Sequence, residues 1–143
     1  MKIYNDVLRN ILYDMPLVPP EAGGILGGRG GEICLWAFDP GYREKGCVYR
    51  PNIDYMNKTI EMWMNRDYEF MGILHVHFGG SKYLSDGDKT YIEKIMKAMP
   101  DSVKQLYFPL VVQPDRKLIS YIAVRNMEGE TEIVSDDIEL ICR

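Results

Sequence analysis

The chain has 143 residues, 46% of them apolar, which is enough for one core of ordinary size and argues against a second domain. Its 17 basic and 21 acidic residues give a net charge of −4, with no Lys/Arg-rich run to track a phosphate backbone, which argues against nucleic acid as a primary partner. The opening MKIYNDVLRNILYDMP is broken by Asn, Asp and Arg, and no window approaches the ~20 apolar residues of a membrane span, so a single soluble, cytoplasmic domain over residues 1–143 is expected.

In residues 3–15, Ile3, Val7, Leu8, Ile11, Leu12 and Met15 fall on one face at helical spacing, and PLVPPE then stops the helix, because proline lacks a donor and crowds the residue before it. EAGGILGGRGGEICLWAF reads as two short strands around a glycine-rich turn, in which Gly27, Gly28, Gly30 and Gly31 are candidates for positive φ. It is not a phosphate loop: Arg29 and Gly30 stand where Lys and Ser/Thr would be needed. NIDYMNKTIEMWMNRDY predicts a second helix, capped by Asn52 or Asp54, with Met56, Ile60, Trp63 and Met64 as its apolar face.

FMGILHVH is a nearly all-apolar run suited to a strand covered on both faces, and SDGDKTYIEKIMKAM predicts a third helix with Ile92, Ile95, Met96 and Met99 inward. QLYFPLVVQ, KLISYIAVR and TEIVS read as strands separated by the turn signals PDRK and NMEGE. Helices interleaved with strands, ending in an antiparallel run, predict an α/β chain with one mixed sheet flanked by helices. Cys34, Cys47 and Cys142 are odd in number and in no CxxC pair, so they are read as buried reduced thiols rather than a disulfide framework or a sulfur-ligated zinc site.

Both histidines lie in HVHFGGSKYLSDGD. On a strand, His75 and His77 are i and i+2, so their rings leave the same face and can converge on one ion. Two imidazoles suit zinc, and a tetrahedral site needs a third protein ligand, with a catalytic site keeping one open position. With no further histidine, that ligand is a carboxylate or a distant thiol, and Asp86 and Asp88 are nearest. Asp88 is the better placed, because FGGSKYL can turn the chain back so that the first turn of the next helix overlooks the histidine strand. Ser85 and Asp88 also read as a capping box, which would satisfy orphan backbone donors and nothing more; Asp86 reads as a solvated first-turn acid.

H-x-H, seven residues, S, two residues, D, with a glutamate upstream at the head of a glycine-containing strand, resembles the JAMM metalloproteases, the catalytic branch of the MPN domain family. Here the pattern is carried by His75, His77, Ser85 and Asp88, with Glu21 as the upstream acid. The resemblance implies a small α/β domain with cytidine-deaminase-like layering and one zinc ion per chain held by His75, His77 and Asp88. It assigns Glu21 to general acid/base work on a zinc-bound water, and Ser85 to the oxyanion of the tetrahedral intermediate. By likeness to compact prokaryotic members it also implies hydrolysis after the C-terminal Gly-Gly of a ubiquitin-like or sulfur-carrier protein. Phe78 stands where the family usually has proline, which implies an altered loop and leaves the ligands in place. The chain is too short for the insertions with which eukaryotic deubiquitinating members grip linked chains, so linkage-specific cleavage is not expected. The alternative is a non-catalytic MPN-type binding module, against which the complete ligand and acid set speaks. DNA-repair-associated relatives sharing the same residues are disfavoured by the acidic charge, and cysteine-protease chemistry by the absence of a local Cys signature.

Overall fold

A computed structural model describes residues 1–41 and 49–143, and it opens with a strand, β1 (Lys2–Tyr4), where apolar spacing predicts the first turn of a helix. The cause is non-local: Lys2 and Ile3 pair in parallel with Glu32 and Ile33, so Ile3 is buried as a sheet residue. Helix α1 follows at Asn5–Asp14 and buries Val7 and Ile11. The glycine-rich segment forms the expected hairpin of β2 (Gly23–Arg29) and β3 (Glu32–Asp39). Only Gly30 and Gly31 take positive φ, at the turn; Gly27 and Gly28 lie within β2.

Helix α2 (Ile53–Met64) starts at Asn52, whose side chain accepts from the Tyr55 N–H. Met56 and Trp63 are buried as predicted, Ile60 is partly buried, and Thr59 joins them. Met64, expected on the apolar face, is 62% exposed because it lies in the last turn beyond the sheet-facing stripe. Strand β4 (Glu69–His77) and helix α3 (Asp86–Ala98) match the expectation, with Ile92 and Met96 buried on α3. The run QLYFPLVVQ, predicted as one strand, is two: β5 (Gln105–Tyr107) and β6 (Leu110–Val112), separated at Phe108–Pro109, where proline has no N–H for the ladder. After β7 (Lys117–Arg125) and β8 (Thr131–Asp136) comes β9 (Glu139–Ile141), a short strand that the sequence reading missed.

One mixed sheet contains all of these strands. The two halves β5 and β6 both lie between β4 and β7, and the order runs from β8 through β7, β5/β6, β4, β2, β3 and β1 to β9. Pairings of β4 with β5 and β6 are parallel, with α3 in the crossover; β2 runs antiparallel to both β3 and β4. Side chains alternate between two cores. Leu74 and Val76 of β4 pack with α1 residues Val7 and Ile11 on one face, whereas Ile73 packs with Met56 and Trp63 of α2 and Ile92 and Met96 of α3 on the other. Continuing that alternation, His75 and His77 point to the α2/α3 face.

Cys34 is partly exposed and Cys142 exposed, which corrects the expectation of buried thiols; Cys47 lies outside the described residues. Cys34 lies on β3 and Cys142 just after β9. No helix among the described residues is long and apolar enough to cross a membrane.

Candidate metal centre

Strand β4 delivers both imidazoles to one point. Their Nε2 atoms are 2.9 Å apart, with ring centroids separated by 4.7 Å at 72°. Two unprotonated ring nitrogens at that distance would repel through their lone pairs, so the contact requires either a proton on one of them or a cation between them. Asp88 completes the group: its Oδ1 lies 3.3 Å from His75 Nε2 and its Oδ2 3.2 Å from His77 Nε2. One donor atom from each of the three residues lies within 4.8 Å of the others, near enough for all three to converge on a single ion. Nitrogen, nitrogen and carboxylate oxygen is also a donor set that zinc accepts.

Helix α3 fixes Asp88 through its cap. Ser85 Oγ accepts from the Asp88 N–H at 3.0 Å and Asp88 Oδ2 accepts from the Ser85 N–H at 2.9 Å, a reciprocal capping box. The capping reading of Asp88 is therefore realised, and the same side chain stands where the ligand reading needs it. Asp86, the other carboxylate near the motif, is exposed in the first turn.

Charge within the cluster is arranged to match. Burial acts to raise the pKa of Asp88, but the hydrogen bonds from His75 and His77, with the Ser85 N–H, outweigh it and hold the carboxyl well below its usual range. The hydrogen bond to Asp88 likewise overcomes burial at His77 and raises its pKa. His77 Nδ1 is buried without a hydrogen-bond partner among the described residues. A metal-ligating histidine ordinarily donates from its second nitrogen, and here that nitrogen faces no acceptor among the described residues.

Glu21 reaches the same face through register. Gly23 pairs with His75 across β2 and β4, and the Val76 N–H donates to the Ala22 carbonyl at 3.0 Å, so the ladder continues past the end of β2 and sets Glu21 abreast of His77. Residues opposite one another in an antiparallel pair leave the sheet on the same side. Glu21 Oε2 accepts from the Tyr49 N–H at 3.1 Å. The glycine opposite His75 is a requirement of packing: a Cβ at Gly23 would meet the Leu74 carbonyl and lie 2.6 Å from the Tyr49 ring. Glu21, His75, Ser85 and Asp88 line one cavity of ≈ 370 Å³ whose remaining wall is largely apolar, including Tyr49, Ile73, Ile92 and Phe108.

The loop between β4 and α3 turns at Gly79 and Gly80, both at positive φ, and the Tyr121 hydroxyl donates to the Lys82 carbonyl at 2.6 Å. Phe78 packs against the α1-side core, so its side chain is directed away from the ligands. Sequence reading did not anticipate Tyr49 or Asp39. Asp39 closes the apolar run LWAFD and is 1% exposed, a burial that no local pattern in the sequence marks.

No protein-family model matches the chain, and no curated protein matches it significantly in sequence. In three dimensions it is similar to protein DSY2949 from Desulfitobacterium hafniense, with a TM-score of 0.64, 16% identity, and coverage of 99% of this chain and 93% of that one. It is also similar to AF2198, a JAB1/MPN domain protein from Archaeoglobus fulgidus, with a TM-score of 0.55, 19% identity and 99% coverage of both chains. The fold is therefore that of a JAB1/MPN domain protein, as the resemblance implies, and the group of His75, His77 and Asp88 is one that could hold a metal ion.

Proposed function

We propose that this chain is a zinc-dependent peptidase or isopeptidase of JAMM type, acting after the C-terminal Gly-Gly of a ubiquitin-like or sulfur-carrier protein. The observation that carries the proposal is the meeting of His75, His77 and Asp88, with donor atoms within 4.8 Å of one another, on the sheet face that also bears Glu21. The substrate class rests on the resemblance alone, and the MPN-type fold is consistent with it.

Zinc held by His75, His77 and Asp88 would supply Lewis acidity and bring the pKa of a water in the open position toward ~7. Glu21 takes a proton from the attacking water and passes it to the departing amine nitrogen, so that water oxygen adds to the carbonyl carbon, the C–N bond breaks, and a carboxylate and an amine leave. Ser85 Oγ already accepts the cap bond from the Asp88 N–H, which leaves its own hydrogen to donate to the oxyanion.

The test is to measure zinc per chain after dialysis in metal-defined buffer, and then the cleavage of a ubiquitin-like protein extended beyond its Gly-Gly terminus. One zinc per chain and release of the extension are expected. Zinc-loaded protein inert on every such substrate would favour the binding-module reading, and protein that takes up no zinc would remove the proposal.

Ser85 separates capping from chemistry. Ser85→Ala is expected to cost ~1 kcal/mol of stability in urea unfolding, the usual value of a lost N-cap acceptor. The loss in turnover should be larger, on the order of 100-fold, because one well-placed oxyanion donor is worth ~3 kcal/mol. Equal losses in the two measurements would leave Ser85 as a cap alone.

A further inference from the structure

Asp39, Gly23 and His75 stand abreast on neighbouring strands, and the Tyr49 ring lies over the glycine between the two functional side chains. Asp39 is 1% exposed, and a carboxylate removed from water is costly unless donors replace its hydration. Three donors do so. Oδ1 accepts from the Gly41 N–H at 2.8 Å, and Oδ2 accepts from the Tyr49 hydroxyl at 2.7 Å and from the Asn52 N–H at 2.9 Å. All three come from the segment that leads from β3 to α2, and the same Tyr49 gives its own N–H to Glu21. Burial, reinforced by the bond to Asp39, pushes the Tyr49 hydroxyl far above its ordinary pKa, so it remains a donor wherever the protein is folded.

We propose that Asp39 is a positioning residue for Glu21: it fixes Tyr49 by its hydroxyl, and Tyr49 in turn holds the Glu21 carboxylate by its N–H on the histidine face. This rests on the reading of Glu21 as the proton-moving group. Asp39 does not approach the reacting atoms; its effect runs through a side chain and a backbone donor that are covalently one residue. A carboxylate that served only to tie the ends of a loop would need the Gly41 and Asn52 contacts and not the hydroxyl of the residue that holds Glu21.

The experiment compares wild type, Asp39→Asn, Glu21→Gln and the double variant, all zinc-equilibrated, by zinc content, hydrogen exchange of the Tyr49 amide, and kcat and KM. Asparagine keeps the volume of Asp39 and removes one of its two acceptor oxygens. In Asp39→Asn, zinc is expected to stay at one per chain and the Tyr49 amide to exchange about tenfold faster or more, while β4 amides keep their protection. A misplaced general base lowers kcat on the order of 100-fold with little change in KM. In the Glu21→Gln background Asp39→Asn should cost nothing further, because the two act as one unit. Wild-type exchange at Tyr49, or losses that add in the double variant, would overturn the proposal. If the wild type hydrolyses no substrate, the amide exchange still decides: faster exchange at Tyr49 with zinc retained supports the positioning, and the failure then belongs to the peptidase reading. Should Asp39→Asn fail to fold, Tyr49→Phe replaces it, keeping the ring and the N–H and removing only the hydroxyl; an unchanged Tyr49-position amide there would equally overturn the proposal.

Discussion

Glu21→Gln is expected to bind one zinc per chain as the wild type does and to lose hydrolysis by ~10²–10⁴-fold, the range for removal of a general base. The prediction is sharp because of what glutamine keeps. Its amide oxygen can accept the Tyr49 N–H as Glu21 Oε2 does at 3.1 Å, so the side chain has no reason to leave its place. Glu21 is not among the residues whose donor atoms meet at the metal centre, so zinc content should not respond. What glutamine cannot do is take a proton from water at neutral pH. Parallel measurements of zinc by elemental analysis and of turnover on a Gly-Gly-extended substrate check both halves. Retained turnover would move the base elsewhere, and lost zinc would make Glu21 a ligand; either result would break the division of roles between β2 and β4.

That division was legible in the sequence to different depths. His75 and His77 were readable because strand side chains repeat with period two, and nothing in the surroundings can undo that alternation without unpairing the strand. Asp88 was readable because the capping box sets its distance from Ser85 locally, and the helix start then carries it toward the strand end. Glu21 was picked out by family resemblance; the geometry behind it, the pairing of Gly23 with His75, is a tertiary fact. The errors in the fold share a cause. Ile3 has helical spacing but is claimed by parallel pairing with a strand that starts at Glu32, and Leu140 lies on an edge strand of three residues, 54% exposed, with too little alternation to register as a strand. Asp39 and Tyr49 were missed because their importance lies in burial and mutual contact, created only when β2 sits between β3 and β4.

Asp88→Asn should abolish stoichiometric zinc binding while leaving the fold intact, and this pair of outcomes follows from the two jobs of one carboxylate. The Asn oxygen can still accept the Ser85 N–H, now at 2.9 Å, so the cap on α3 survives. At the metal centre the replacement is not conservative. Asp88 faces both imidazoles at 3.2 and 3.3 Å with a charge that opposes the cation's; the amide presents a neutral oxygen to one histidine and an N–H to the other. Loss of an outer-shell partner alone typically costs 10–100-fold in metal affinity, and loss of a charged ligand should exceed the upper end of that range, at least ~100-fold. Linkage turns this into a stability measurement that needs no substrate. Wild type at zinc ~100 times its Kd gains ~2.7 kcal/mol against unfolding, a gain that chelation removes. Asp88→Asn, which starts below the wild type without zinc because it loses the charged hydrogen bonds to His75 and His77, should gain almost nothing more at the same concentration. A variant stabilised by zinc as strongly as the wild type would place the ion somewhere other than between His75, His77 and Asp88. A variant unfolded even without zinc would assign the charge at Asp88 to the fold rather than to the metal.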